Sequence, residues 1–382
     1  MKKIPIGIQA FSSLIEGGFV YLDKTDMIYN IANTKACYFL SRPRRFGKSL
    51  TLSTLHEYFD GQKDLFVGTK MEKLETKWEK YPVVHFDFNA STYKSVEDVI
   101  SRINFMLSNY EDIFGRNPHA ASNSERFESL INAIAAQTGK HVVILVDEYD
   151  KPLLTNMSDT DLQDKIRAEL KAFYGVLKTC DKQIKIAFIT GVTKFSKVSL
   201  FSDVNNLTDI SQEREFSTLC GITEQEIHEQ LDEYVQQMAD LNEISKEECY
   251  KELKKWYEGY HFSKDSEKVF NPCSLLRSLE RKETDNFWIE TGTPSFLVKQ
   301  IRKYGTIINE FDHKKCKANL LSKYVDFEIS PIPTLFQCGF LTIIDYDKEL
   351  ETYTLGIPNT EVHETIDYFS SETRKVKEWV KE

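Results

Sequence analysis

Short apolar segments alternate with amphipathic helical patterns through the first half of this 382-residue chain. Apolar residues recur at helical spacing between the segments, as Leu52, Leu55 and Phe59 do. Parallel strands need a long crossover between neighbours, so this alternation predicts an α/β fold with a parallel sheet flanked by helices. The strands are predicted at residues 36–40, 81–88, 141–146 and 184–189.

The pattern changes after about residue 215. The sequence TEQE at residues 223–226 has the form of a capping box and predicts the start of a helix. Further on, residues 336–346 and 353–357 predict a β-hairpin with a charged loop between them. The chain is therefore expected to have three parts: residues 1–215, a helical part at 216–285, and a mixed part at 286–382.

Composition excludes several classes of protein. Charged residues make up 28% of the chain and the net charge is −10, which argues against nonspecific coating of nucleic acid. No apolar run reaches the ~18 residues of a membrane helix, so no membrane is expected as a partner. The seven cysteines are scattered without a C-x-x-C pair, which predicts neither a disulfide framework nor a zinc ribbon. A reducing compartment fits best, and the expected localisation is cytoplasmic.

The segment SRPRRFGKS at residues 41–49 follows a predicted strand and precedes a predicted helix, as a phosphate-binding loop does. Lys48 would reach the β- and γ-phosphates of a nucleotide, and the Ser49 hydroxyl would ligate Mg²⁺. The pattern G-x-x-x-x-G-K-S requires glycine where the chain has Arg42, so a basic turn before an ordinary helix remains an alternative. The predicted nucleotide-binding residues are Arg44, Arg45, Phe46, Gly47, Lys48, Ser49 and Leu50.

A second motif supports the phosphate-binding interpretation. The apolar strand at residues 142–146 runs directly into Asp147 and Glu148. Two carboxylates at the end of a buried strand are costly unless they act at that edge of the sheet. Asp147 would hold Mg²⁺ as a Walker B aspartate does, and Glu148 would polarise the attacking water. The alternative is an acidic turn after a strand.

The tip of the last predicted strand carries a candidate sensor of the γ-phosphate. Thr190 is the first choice and Thr193 the second, because a hydroxyl there could bond the attacking water or the phosphate. A simple turn at Gly191 is the alternative. The predicted catalytic residues are therefore Glu148, Lys48 and Thr190.

Three arginines lie in or beside the loop. Guanidinium groups bind phosphate in a bidentate manner, so Arg44 or Arg45 is expected to supplement phosphate binding. Pairing of Arg42 and its neighbours with acidic surface residues is the alternative. Asp87, at the end of the second predicted strand, is expected to have a structural role.

With these motifs and several others, the sequence resembles the bacterial AAA-ATPase-like family, whose members usually carry a C-terminal PD-(D/E)xK nuclease-like domain. The resemblance spans nearly the whole chain in order, and RPRRFGKS is the usual loop of that family. The matching segments lie at residues 17–25, 39–50, 146–152, 190–207, 256–262, 271–272 and 355–359.

This resemblance implies an ATPase core at residues 1–215, a helical lid at 216–285 and a winged-helix-like α+β module at 286–382. It also implies ATP and Mg²⁺ as cofactors. The nuclease-like domain would begin after residues 355–359 and is expected to be absent. Two E-x-K matches, at residues 75–77 and 280–282, lie in charged helical surroundings and are interpreted as solvated helix faces.

Three functions remain open. The first is a slow, Mg²⁺-dependent ATPase that acts as a nucleotide-controlled regulator or switch. The second is a nucleotide-binding interaction module with little hydrolysis, because such cores are slow without an arginine finger and none stands out in the sequence, although Arg214 is a candidate. The third is a DNA-associated ATPase partner of a nuclease, with modest basic character at Lys314, Lys315 and Lys317. The partners considered are ATP, a second copy or another protein and, on weaker support, nucleic acid.

Overall fold

The computed structural model describes residues 1–157, 159–194, 200–201, 204, 206–291, 296–299, 308–321 and 329–379. Within these ranges the chain forms a parallel five-stranded sheet flanked by helices, then a helical region and a small antiparallel sheet. The predicted α/β fold is confirmed. The predicted mixed part at 286–382 includes residues 292–295, 300–307, 322–328 and 380–382, and the segment at 190–207 includes 195–199, 202–203 and 205. All of these lie outside the described residues.

The parallel sheet has the strand order β2-β3-β4-β1-β5. Strand β4 separates β1 from β3, so the loop after β1 and the acidic residues after β3 flank the end of β4. This edge is where ligands bind in open parallel sheets. The strands are β1 (Cys37–Ser41), β2 (Val83–Asp87), β3 (Val142–Asp147), β4 (Ile184–Gly191) and β5 (Leu207–Asp209).

The two strands that carry the predicted motifs are fully buried. All five residues of β1 and all six of β3 are buried, as expected for parallel strands covered on both faces. Four predicted strands agree with the structure to within two residues at each end. The edge strand β5 was not predicted, because three residues are too few to show a periodic pattern.

Helices cover both faces of the sheet, and several begin at side chains that cap their first turn. Ser95 and Ser122 each form a capping box with the acidic residue three positions later. Gly139 ends a helix in the left-handed conformation. The helices before residue 215 are α1 (Phe11–Glu16), α2 (Thr25–Ala32), α3 (Lys48–Phe59), α4 (Lys70–Leu74), α5 (Val96–Phe114), α6 (Asn123–Thr138), α7 (Lys151–Thr155) and α8 (Thr160–Thr179).

The helical region has a hydrophobic core of its own. Residues Ile227, Leu231, Val235, Leu253 and Leu275 are fully buried in it. The capping box at Thr223 is present, and a π-helical segment (Ile227–Leu231) follows it. The helices of this region are α9 (Glu224–Glu226), α10 (Asp232–Leu241), α11 (Lys246–Tyr257) and α12 (Pro272–Arg281).

The C-terminal part packs into the same core as the parallel sheet. The predicted hairpin is present, but its first strand was placed too early, since residues 332–337 are helical and β7 begins at Thr342. A short apolar run fits a buried helix turn as well as a strand, so the pattern could not separate them. The elements are α13 (Trp288–Thr291), β6 (Lys315–Lys317), α14 (Ala318–Leu321), α15 (Ile332–Gln337), β7 (Thr342–Asp347), β8 (Thr352–Gly356) and α16 (Thr360–Trp379).

Two distant sequence motifs join the helical region to the C-terminal part. Gly259 has a φ of +103°, and a Cβ atom there would lie 2.0 Å from the carbonyl oxygen of Pro358. The Asn359 side chain donates a 2.8 Å hydrogen bond to the carbonyl of Glu258. Only glycine permits this approach, so residues 256–262 and 355–359 meet at Gly259.

Candidate nucleotide-binding site

The loop between β1 and α3 is compact because two residues adopt left-handed backbone conformations. Arg45 has a φ of +68° and Gly47 a φ of +89°. Gly47 immediately precedes Lys48, the first residue of the 12-residue helix α3. The unpaired N–H groups and positive dipole end of this helix therefore face the loop, as anion binding requires.

Lys48 lies beneath the loop and is only 4% exposed. Its ammonium group donates 3.1 Å hydrogen bonds to the carbonyl oxygens of Arg42 and Pro43. The same nitrogen lies 3.7 Å from a carboxylate oxygen of Glu148. The loop and the acidic end of β3 therefore meet at this lysine.

The carboxylate of Asp147 accepts a hydrogen bond from a hydroxyl group at each of its two oxygen atoms. Ser49 donates a 2.6 Å hydrogen bond to its Oδ2 atom, and Thr190 donates one of 2.6 Å to Oδ1. The backbone N–H of Glu148 also donates to Oδ1, at 3.1 Å. The structure thus brings together residues that were predicted as site residues from three separate segments: Lys48, Ser49, Asp147, Glu148 and Thr190.

Ser49 and Asp147 offer the oxygen donors that Mg²⁺ prefers. Mg²⁺ in nucleotide sites is usually held by one or two protein side chains together with phosphate oxygens and water. Among the residues the structure describes, no group of three or more His, Cys, Asp or Glu could hold a metal alone. The Ser49–Asp147 pair therefore fits a magnesium ion that binds together with a nucleotide.

Glu148 has an uncommon backbone conformation, with a φ of +52°. Its side chain faces Lys48 and lines a cavity at the carboxyl edge of the sheet. Non-glycine residues with positive φ often mark functional sites, because the surrounding structure must hold them there.

Arg42 occupies the position where a glycine was expected, and it is buried. Its guanidinium donates hydrogen bonds to the carbonyls of Ser211 (2.7 Å) and Phe216 (3.1 Å). It also stacks 4.2 Å from the centre of the Phe262 ring. Burial lowers the pKa of Arg42 to about 10, which leaves it charged at neutral pH. Arg42 therefore anchors the loop and does not form a surface ion pair.

The remaining loop residues divide into two groups. Arg44 and Arg45 line the cavity, as do Gly47, Ser49 and Leu50. The Phe46 side chain instead packs edge-on against Tyr260 and Phe262, with ring centres 4.8 and 5.4 Å away. Phe46 is only 1% exposed, so it could offer a nucleotide main-chain atoms but not its ring.

Thr193 and Asp87, the other two candidates, have different partners. The Thr193 hydroxyl donates to Asp150 at 2.7 Å, whereas Thr190 contacts Asp147. Arg102 donates two hydrogen bonds to the carbonyl oxygen of Asp87, at 3.1 and 2.6 Å. These bonds to the main chain join α5 to the end of β2.

The cavity has a volume of about 290 Å³ and is formed by three parts of the chain. The loop and Glu148 form one wall, the N-terminal residues 5–9 a second, and Pro272, Cys273 and Leu276 of α12 a third. A smaller, mostly apolar cavity of about 100 Å³ adjoins it and shares Leu14, Leu50, Pro272 and Leu276. The contribution of residues 5–9 and α12 was not predicted, because nothing in their local sequence shows that they meet the loop.

The residues weighed for other activities lie elsewhere. Glu75 accepts hydrogen bonds from Tyr58 and from the backbone of Lys77, which makes it part of a turn. Lys282 is the left-handed residue that ends α12. Arg214, Lys314, Lys315 and Lys317 are exposed. Over the ranges of the chain that the structure covers, no helix is long and apolar enough to cross a membrane.

Comparison with known proteins agrees with this geometry. Residues 5–201 match the family model described as a predicted AAA-ATPase of the AAA-ATPase-like family. A relative from Azotobacter chroococcum mcd 1, an uncharacterized protein in the vnfD 5′ region, is 36% identical over 369 residues. The match covers 96% of this chain and 69% of the relative. Because the family model matches more than half of the chain, the chain belongs to the AAA-ATPase-like family.

Proposed function

We propose that this protein binds ATP with Mg²⁺, hydrolyses it slowly, and uses the nucleotide to control the arrangement of its helical and C-terminal parts. The observation that carries the proposal is the meeting of Lys48, Ser49 and Glu148 at one cavity, with Asp147 bonded to Ser49 beside it. An ammonium group, a hydroxyl and two carboxylates in this arrangement serve phosphoryl transfer.

The triphosphate would lie along the loop. Lys48 and the free N–H groups at the start of α3 supply positive potential, and Arg44 and Arg45 add guanidinium groups on the cavity wall. Ser49 and Asp147 would hold Mg²⁺, which, when bound, neutralises charge on the phosphate oxygens.

The base would occupy the apolar end of the cavity. Leu14, Leu50, Pro272 and Leu276 line both the main cavity and the adjoining one, so they form an apolar slot shared by the two. A purine ring buries its flat faces favourably against such side chains. The domain boundaries at residues 215 and 285 remain predictions. With these boundaries, the slot lies between the predicted core and the predicted lid.

Hydrolysis would use the Glu148 carboxylate, with the Thr190 hydroxyl as the sensor that bonds the attacking water or the γ-phosphate. The carboxylate of Glu148 would accept a hydrogen bond from water, whose oxygen attacks the γ-phosphorus as the bond to the β,γ-bridging oxygen breaks. Glu148 faces Lys48 at 3.7 Å, so it must turn from the lysine toward the water. This contact supports slow turnover and keeps open the second candidate, a binding module that scarcely hydrolyses.

A regulatory role is supported by the neighbours of the loop. Phe46 packs on Tyr260 and Phe262 of the helical region. A Cβ atom on Gly339 in the C-terminal part would lie only 3.0 Å from Pro43. Any rearrangement of the loop on phosphate binding would therefore reach both parts, which is how nucleotide switches act.

Calorimetric titration of the protein with ATP and Mg²⁺ tests the proposal. We expect binding by the natural sequence, loss of binding in Lys48→Ala, and unchanged binding in the control Lys73→Ala, whose side chain is exposed. Steady-state phosphate release then separates a slow ATPase from a binding module. Absence of any ATP binding by the natural sequence would refute the proposal.

A further inference from the structure

Asp150 lies two residues beyond Glu148 and has no solvent exposure. Its carboxylate accepts hydrogen bonds from the backbone N–H groups of Val192 (3.1 Å) and Thr193 (2.7 Å). It also accepts a 2.7 Å hydrogen bond from the Thr193 hydroxyl. A single buried side chain therefore holds the segment that follows β4.

Tyr149, between Glu148 and Asp150, also forms hydrogen bonds with the end of β4 and the segment that follows it. Its backbone N–H donates to the carbonyl of Thr190 at 3.0 Å, and its hydroxyl donates to the carbonyl of Thr193 at 2.8 Å. A Cβ atom on Gly191 would lie 2.4 Å from the Tyr149 ring and 2.7 Å from Asp150 Oδ1. The turn after β3 and the end of β4 are thus packed as closely as glycine allows.

The contact between the turn after β3 and the end of β4 positions two residues of the proposed reaction, Glu148 and Thr190. Glu148 immediately precedes Tyr149 and Asp150 in the chain. It has a positive φ of +52°, a conformation that the surrounding structure must stabilise. Thr190 precedes Gly191 on the opposite side of the contact. Among the hydrogen bonds described, the side chain of Asp150 bonds only Val192 and Thr193, so it acts on the site through its neighbours.

The charge state of Asp150 suits this role. Burial and the nearby negative charge of Glu148 raise its pKa to about 6, while hydrogen bonds from Thr193 and the charge of Lys48 act in the opposite direction. At neutral pH the side chain is therefore a carboxylate, which is the strongest acceptor for the three donors that surround it.

We propose that Asp150 is a positioning residue for ATP hydrolysis, fixing the Glu148 backbone and the Thr190 hydroxyl relative to each other by clamping residues 192–193. This inference rests on the proposed function. The inference adds a role for a residue outside the phosphate-binding loop. That role is in turnover and not in nucleotide binding.

The test compares nucleotide binding with turnover in Asp150→Asn, Thr193→Val and Thr193→Ser. Asp159→Asn is the matched control, since Asp159 also accepts a backbone N–H but at the start of α8. We expect Asp150→Asn to bind Mg²⁺-ATP within about threefold of the natural sequence while kcat falls about tenfold or more, because small misplacements of catalytic groups reduce turnover strongly. Thr193→Val should reduce kcat, and Thr193→Ser, which keeps the hydroxyl, should restore it.

Coupling of the two residues gives a further readout. The double variant Asp150→Asn/Thr193→Val should be no slower than Asp150→Asn alone, because both changes break the same clamp. If Asp150→Asn fails to fold, the Thr193 pair decides: equal kcat in Thr193→Val and Thr193→Ser overturns the inference.

The outcomes for the two proposals are distinguishable. A natural sequence that binds and hydrolyses ATP, with an Asp150→Asn variant of unchanged kcat, refutes the positioning role alone. Equal losses of binding and kcat would show that Asp150 only maintains the fold of the site, and would also refute it. A natural sequence that fails to bind Mg²⁺-ATP refutes the proposed function and this inference together.

Discussion

Ser49 donates a 2.6 Å hydrogen bond to Asp147 and so joins the start of α3 to the end of β3 across 98 residues of sequence. A serine hydroxyl that gives its proton to a carboxylate still has oxygen lone pairs for a cation. The second carboxylate oxygen of Asp147 is held by Thr190, so the whole pair is fixed in orientation. The magnesium-binding groups proposed here are therefore organised by the protein's own hydrogen bonds.

Removing the Ser49 hydroxyl should weaken magnesium binding at the nucleotide site. We expect Ser49→Ala to raise the Mg²⁺ concentration needed for half-maximal ATP binding by about tenfold or more, a common effect of disturbing a metal site. Ser49→Thr keeps the hydroxyl and is the control. ATP titrations at several Mg²⁺ concentrations measure the effect, and identical Mg²⁺ curves for the alanine and threonine variants would contradict it.

Neutralising Glu148 should separate binding from turnover. Glu148→Gln keeps the shape of the side chain but removes the base, so we expect single-turnover phosphate release to fall by about 10²-fold or more. ATP affinity should hold or rise, because Lys48 loses a competing carboxylate 3.7 Å away. Undiminished phosphate release from the glutamine variant would exclude Glu148 as the group that polarises water.

The sequence was sufficient to predict the parts of the site that lie next to a strong strand. Residues 142–146 are uniformly apolar and fully buried, so the position of Asp147 and Glu148 at the sheet edge followed directly. The same is true of Lys48 and Ser49, which follow the buried strand β1. A buried strand is a continuous run of apolar residues, and such a run can be recognised in a single sequence.

Contacts between distant segments could not be predicted in the same way. The edge-on packing of Phe46 against Tyr260 depends on how the helical region packs, and the bonds from Arg42 depend on where the 211–216 segment lies. An arginine in a basic run is usually solvated, and nothing local shows that Arg42 is buried. The walls contributed by residues 5–9 and α12 were missed for the same reason.

Shortening or removing the Arg42 side chain should destabilise the protein. Arg42→Lys cannot reach the carbonyls of Ser211 and Phe216 together, and hydrogen bonds from charged groups contribute about 1.5–3 kcal/mol each. We expect the free energy of unfolding to fall by about 2–3 kcal/mol in denaturant titrations. The control is Arg116→Lys, at an exposed position; equal stability of the two variants would argue against the anchor.

Glu361 should make the stability of the protein depend on pH in the neutral range. It lies in the first turn of α16 without solvent exposure, and its Oε1 atom accepts a 2.9 Å hydrogen bond from the backbone N–H of Trp288. Burial raises its pKa to about 8 in the folded protein, against about 4.5 for an exposed glutamate. Between these values the folded state binds more protons than the unfolded state.

The free energy of unfolding contributed by Glu361 should therefore be greatest below about pH 4.5 and should decline as pH rises toward about 8, with a slope of at most about 1.4 kcal/mol per pH unit. Glu361→Gln cannot ionise but can still accept the bond from Trp288, so it should remove this slope. Denaturant titrations at pH 6, 7 and 8 compare the two proteins, with the exposed Glu364→Gln as control. The natural sequence should lose stability relative to Glu361→Gln across this range, and parallel curves would show that Glu361 is ionised in the folded protein at neutral pH.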